Sequence, residues 1–212
     1  MKRREFLQGS AAAAAMLTCF PSGLAAMARE QTPDRLERRV LGRTGRMLSV
    51  IGFGGIVVMN ATPAEASQRV REAIEAGVNY FDVAPTYGDA EEKLGPALEP
   101  FRREVFLACK TTQRRAAGAT VELERSLKRL RTDHFDLYQF HAVTTTGDVE
   151  TIFDKGGAAE AFTAARQAGK VRFLGFSAHS VEAALAMMDR FHFDTILFPF
   201  NFATWHAGNF GP

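Results

Sequence analysis

The chain has 212 residues, 46% of them hydrophobic, and its 26 Lys and Arg stand against 24 Asp and Glu for a formal charge of +2. That composition suits a packed globular core. The near-balance of charge, with no Lys/Arg-rich run interleaved with aromatics, excludes nucleic acid as an expected partner.

In chain order the first feature is a leader. Met1-Lys2-Arg3-Arg4-Glu5-Phe6-Leu7 sets two adjacent arginines before a hydrophobic pair, an apolar run follows from Ala11 to Leu17, and Ala26-Met27-Ala28 offers small residues for cleavage. The apolar run falls short of the roughly 20 residues that a bilayer span needs. The pattern is that of a twin-arginine signal over residues 1–28. The expected partner is therefore the twin-arginine export machinery, and the expected location periplasmic or extracellular. Cys19 leaves with the signal, so Cys109 alone remains in 29–212 and an intrachain disulfide is excluded.

Residues 29–212 read as one domain in which short β-rich runs alternate with helical patterns, the order of a parallel α/β fold. The strands are expected at Ser49–Phe53, Val78–Asp82, Val105–Cys109, Phe135–Phe140, Val171–Phe176 and Thr195–Phe200. Their nearly continuous apolar character fits strands covered on both faces. Thr62-Pro63-Ala64-Glu65 is a capping box with proline at the first helical position. Val70, Ala73 and Ile74 form the stripe of that helix, and Gly77 is placed to end it. Further on, Leu123, Leu127 and Leu130 share a face while Glu124 and Lys128 form an i,i+4 pair. Gly147–Gly157 is expected as the longest loop. Ala161–Ala168 is a helical stretch closed by Gly169, and Ser180 caps a helix whose stripe is Val181, Ala184, Leu185 and Met188.

Six βα-type strands are two short of the eight in a closed (β/α)8 barrel, which typically needs about 250 residues. The expectation is a barrel of which about six units are present, incomplete at its C-terminal side.

In such barrels the working residues sit at the C-terminal ends of strands. Asp82, Lys110, His141, Ser177 and Asn201 fall at that end of five successive strands, and Tyr87 lies in the turn Val83-Ala84-Pro85-Thr86-Tyr87-Gly88. Each has an ordinary reading: a turn-capping aspartate, a half-buried aromatic, a lysine reaching solvent, a hydrogen-bonded core histidine. Their coincidence at one end of one sheet is what an ordinary reading leaves unexplained.

The segments NYFDVAPTYG (Asn79–Gly88), LACKT (Leu107–Thr111), DLYQFH (Asp136–His141) and GFSAH (Gly175–His179) resemble aldo/keto reductase motifs in order and spacing, and LGRTGRMLSVIGFGG (Leu41–Gly55) resembles that family's N-terminal hairpin and first strand. The resemblance spans about Arg39 to Asn201. It implies a TIM barrel, an NADPH or NADH cofactor and a small-molecule carbonyl substrate, with a catalytic tetrad of Tyr87, Lys110, Asp82 and His141. Hydride delivered to a carbonyl carbon leaves a developing alkoxide that needs a proton donor. Tyr87 is the expected donor, with Lys110 lowering its pKa, Asp82 holding Lys110, and His141 polarising the substrate oxygen. Ser177 and Asn201 are the implied contacts of the nicotinamide. Ala178 and Leu197 depart from the family pattern, which has an asparagine and a glutamine at those positions in many members.

A metal-dependent hydrolase is disfavoured, because His134, His141, His179, His192 and His206 show no ligand spacing. A non-catalytic nicotinamide-binding or interaction module is the alternative to a reductase. No feature of the sequence indicates an oligomer.

Overall fold

The structure, a computed structural model, describes residues 36–200; the 1–28 signal reading, Asn201 and His206 lie outside them. The described chain opens with an antiparallel hairpin, β1 (Arg38–Val40) and β2 (Met47–Ser49), whose connection turns through Gly45 at φ +68°. The expected first strand at Ser49–Phe53 is split. Ser49 ends the hairpin, and only β3 (Phe53–Gly54) pairs onward. The cause is local: the Ser49 amide donates to Asn79 Oδ1 at 2.7 Å, and its hydroxyl donates to the Ile51 carbonyl at 2.7 Å, which bends the chain between the two strands. A side chain at Gly52 would meet the Tyr80 ring at 2.6 Å, so the bend brings backbone against the second strand of the sheet.

From there six parallel strands follow in sequence order: β3, β4 (Tyr80–Asp82), β5 (Phe106–Thr111), β6 (Phe135–Val143), β7 (Val171–Ala178) and β8 (Thr195–Leu197). They form a curled half-barrel of the (β/α)8 class, with β3 and β8 as its edges among the described residues. Ile196 and Leu197 on β8 are each nearly half exposed.

Helices α1 (Pro63–Glu75), α2 (Ala90–Leu98), α3 (Ala116–Arg129), α4 (Thr146–Phe153), α5 (Ala158–Gln167) and α6 (Val181–Arg190) complete the units. The capping box of α1 forms as expected, and Gly77 follows the helix at φ +94°. Leu123, Leu127 and Leu130 are buried together, but Glu124 pairs with Lys170 across to the start of β7 rather than with Lys128.

Two further expectations fail. The stretch Gly147–Gly157 is mostly helix α4, because Thr145 accepts a hydrogen bond from the Asp148 amide and Val149 and Ile152 are buried. In α6, Ser180 caps as expected, yet the buried residues are Ala183, Ala184 and Met187, while Val181, Leu185 and Met188 face outward. The large residues suggested one face, and the small ones set the close approach to the sheet.

Candidate functional site

Side chains alternate across a strand, and this alternation sorts the sheet into two faces. The outer face, covered by helices, takes Phe81, Leu107, Cys109, Tyr138, Phe140, Leu174 and Phe176 into one large apolar cluster. The inner face takes Tyr80 and Asp82 from β4, Phe106, Ala108 and Lys110 from β5, Leu137, Gln139 and His141 from β6, and Phe173 and Ser177 from β7. Near the hairpin this face is apolar, with Leu48, Phe106, Ala108 and Leu137 in a second, smaller cluster. Toward the C-terminal ends of the strands it becomes polar.

Asp82 is the hub of the polar end. Its Oδ1 is ion-paired with Lys110 Nζ, while Oδ2 accepts from the Tyr80 hydroxyl at 3.0 Å and from Gln139 Nε2 at 3.1 Å. Lys110, 1% exposed, also donates to the Val83 carbonyl at 3.3 Å. Burial pulls the Lys110 ammonium down to about 7. Burial also pushes the Tyr80 phenol up to about 12, so Tyr80 remains a donor to Asp82 throughout the physiological range.

Tyr87 sits in the tight loop after β4, where its amide donates to the Ala84 carbonyl at 3.1 Å and Gly88 follows at φ +57°. Its ring lies 5.4 Å from Lys110 Nζ and 6.0 Å, edge-on, from the His141 ring. Burial holds the Tyr87 phenol above its usual value of 10.0.

His141 stands at an irregularity. The β6–β7 register shifts between Phe140 and Val143, and Ala142 adopts φ +52°, a left-handed conformation uncommon for a residue with a side chain. The Ser177 hydroxyl accepts from the Ala142 amide at 2.8 Å and meets His141 Nδ1 at 3.0 Å. Burial, then the charge of Lys110, pulls the imidazole down to about 4, so the ring is neutral at neutral pH. On the far side of the same peptide, Arg114 Nη2 donates to the His141 and Ala142 carbonyls at 2.9 and 3.0 Å.

Asp82, Lys110, Tyr87, His141 and Ser177 therefore converge, as the spacing predicts. Lys110, His141 and Ser177 lie within their strands rather than just past them, because β5, β6 and β7 run further than expected. Three participants were missed: Tyr80, Gln139 and Arg114. Tyr80 and Gln139 are each two residues before an identified residue and so on its face, a signal that strand periodicity alone supplies. Arg114 lies in a loop and carried no such signal. The donor set fits the carboxamide end of a nicotinamide through Ser177. Its hydroxyl accepts from the Ala142 amide and is paired with Nδ1, and with one donor and two lone pairs it has one further hydrogen bond to offer a carboxamide.

The family model described as Aldo/keto reductase family matches residues 50–207. The chain is 34% identical over 166 residues to the aldo-keto reductase YhdN of Bacillus subtilis, covering 69% of this chain and 48% of that protein. It is 30% identical over 171 residues to the L-galactose dehydrogenase of Arabidopsis thaliana, covering 74% of this chain and 53% of that one. Among solved structures, the holo form of aldo-keto reductase AKR11C1 from Bacillus halodurans superposes with a TM-score of 0.68 at 28% identity, over 78% of this chain and 58% of that chain. The chain thus spans about half the length of the curated relatives it matches.

Proposed function

The chain belongs to the aldo/keto reductase family, and from that premise we propose that it is an NAD(P)H-dependent oxidoreductase that reduces an aldehyde or ketone to an alcohol, with Tyr87 as the proton donor. The observation that supports this reading best is the convergence of a buried Lys110–Asp82 pair, Tyr87 and a neutral His141 on one end of the sheet. The nicotinamide supplies the hydride when bound, and the Ser177 hydroxyl is the described group suited to its carboxamide.

The remaining chemistry belongs to the chain's own side chains. A neutral His141, with its Nδ1 at Ser177, has Nε2–H to donate to the substrate oxygen, which polarises the carbonyl and fixes its position. Tyr87, kept protonated by burial, meets the first requirement of a general acid, a proton to give. The Lys110 ammonium beside its ring then favours the phenolate left behind. Asp82 keeps that ammonium in place, and Tyr80 and Gln139 keep Asp82 in place.

The test uses the full chain: NADPH binding by fluorescence titration, and carbonyl-dependent loss of NADPH absorbance with a panel of small aldehydes. Tyr87→Phe is expected to lower turnover by about 100-fold or more with NADPH affinity nearly unchanged. Equal loss of binding and turnover would remove Tyr87 from the proton-donor role.

A further inference from the structure

The grip of Arg114 on the backbone at Ala142 has no part in the reading above, yet it bears on where His141 points. In a regular strand successive carbonyls alternate in direction. Here the His141 and Ala142 carbonyls both accept from one nitrogen, Arg114 Nη2. They can do so because Ala142 has left the extended region for φ +52° and the strand is bulged between Phe140 and Val143. The amide of Ala142 faces the other way, onto the Ser177 hydroxyl at 2.8 Å, and that hydroxyl is the partner of His141 Nδ1. A left-handed residue with a side chain persists only where its surroundings hold it, and the holder here is a guanidinium. Arg114 is itself anchored: Nε pairs with Asp148 Oδ1 at 3.1 Å, Asp148 Oδ2 accepts from the Thr144 amide at 3.2 Å, and the Arg114 carbonyl accepts from the Ala158 amide at 3.0 Å. Its side chain is 16% exposed.

We infer that Arg114 is a positioning residue for His141: it clamps the His141–Ala142 backbone in its left-handed turn, so that the imidazole stays on Ser177 through Nδ1 and keeps Nε2 for the substrate oxygen. The role rests on the proposed reductase reading, but the geometry can be tested without turnover.

The experiment compares the full chain with Arg114→Met, Ala142→Gly and the double variant. The readouts are two-bond proton–nitrogen correlations of 15N-labelled histidines and steady-state kinetics, with the His141 signals assigned through His141→Gln. Glycine enters the left-handed region without a side-chain penalty, so it removes the need for a clamp. Arg114→Met is expected to shift the His141 ring correlations and to lower kcat by about 10- to 100-fold with the NADPH KM little changed. Adding Ala142→Gly is expected to restore both. Parent-like His141 correlations in Arg114→Met overturn the inference, as does a loss that Ala142→Gly leaves untouched. Where Arg114→Met does not fold, Arg114→Lys, whose single nitrogen cannot hold Asp148 and both carbonyls as Nε and Nη2 do together, is expected to show the same His141 shift, and a parent-like spectrum there overturns the clamp. A chain that reduces no carbonyl but shows the shift and its rescue would sink the reductase reading and leave the clamp standing.

Discussion

On β6, Tyr138 and Phe140 turn to one side of the sheet and Leu137, Gln139 and His141 to the other, and the two sides meet different surroundings. Outward, Phe140 stacks on Phe162 of α5 with ring centroids 3.8 Å apart, and Tyr138 lies 4.9 Å from the same ring. Inward, the residues of the same strand end in an amide holding a carboxylate and an imidazole set on a bulge. Outside, specificity comes from shape and area. Inside, it comes from a few directed hydrogen bonds, and burial is used to move proton affinities rather than to remove polar groups from water. Buried charge alone does not separate the faces: Asp136, 1% exposed, is taken up by Arg102 and Arg172 and by the Leu107 amide, all ties between strands and their flanks. Asp82 differs in holding a lysine whose other neighbour is a tyrosine ring at the open end of the sheet.

If the faces are that distinct, a change on the outer one should cost stability and spare the chemistry. Phe162→Ala deletes a ring that is 2% exposed and packs against two β6 aromatics. It is expected to destabilise the fold by about 3–5 kcal/mol, measured by urea denaturation, with turnover per folded molecule nearly unchanged. A large fall in turnover without loss of stability would mean that the outer face shapes the site directly.

The inner face should show itself through pH. The His141 imidazole has its proton affinity pulled from 6.5 down to about 4 in the fold by burial, then by Lys110, His179 and Arg114. Below pH 6.5 the unfolded chain takes up a proton that the folded chain refuses until about pH 4. The unfolded state therefore binds more protons in that window, and stability falls as pH falls through it. With the ring partly open to solvent, the contribution is about 2 kcal/mol between pH 7 and pH 4. His141→Gln should flatten the acid limb of the stability curve by that amount, the carboxylates accounting for the rest of its slope. An unchanged limb would show that His141 titrates as a solvated histidine.

How much of this was legible in the sequence follows the same division. The outer face is written in apolar runs and helical stripes, and it could be read: five of the six strands begin within two residues of where expected, the first being split, and the Thr62 box and Ser180 cap form. The site was legible where its residues lie toward the C-terminal ends of strands, as with Asp82, Lys110 and His141. It was illegible where a residue acts through folded geometry. Tyr80 reads as one more β-forming aromatic until its hydroxyl is found on Asp82. Arg114 reads as one of several loop arginines until Ala142 is found left-handed beneath it. Spacing shows that a lysine is near Tyr87, but not that burial raises the phenol's proton affinity.

Helix α4 is the clearest miss and supplies the finest test. Gly147 and the β-branched Thr146, Val149, Thr151 and Ile152 give it weak helix propensity, so the segment reads as a loop. It is helical because Thr145 accepts from the Asp148 amide at 3.0 Å and because Val149 and Ile152 find buried places on one face. Tertiary contact thus outweighs propensity, and the cap fixes where the helix begins. Thr145→Ala should cost only about 1 kcal/mol of stability, the smallest of the expected effects, seen as a modest fall in the urea midpoint. Yet the first turn it frays carries Asp148, the partner of Arg114. A small shift of the His141 ring signals, in the direction that Arg114→Met produces and smaller, is therefore expected to accompany it. A stability loss with no trace at His141 would mean that Arg114 keeps its hold on the two carbonyls through Nη2 without help from Asp148, and that the outer helical layer and the inner site are coupled more weakly than the chain of contacts from Thr145 to His141 implies.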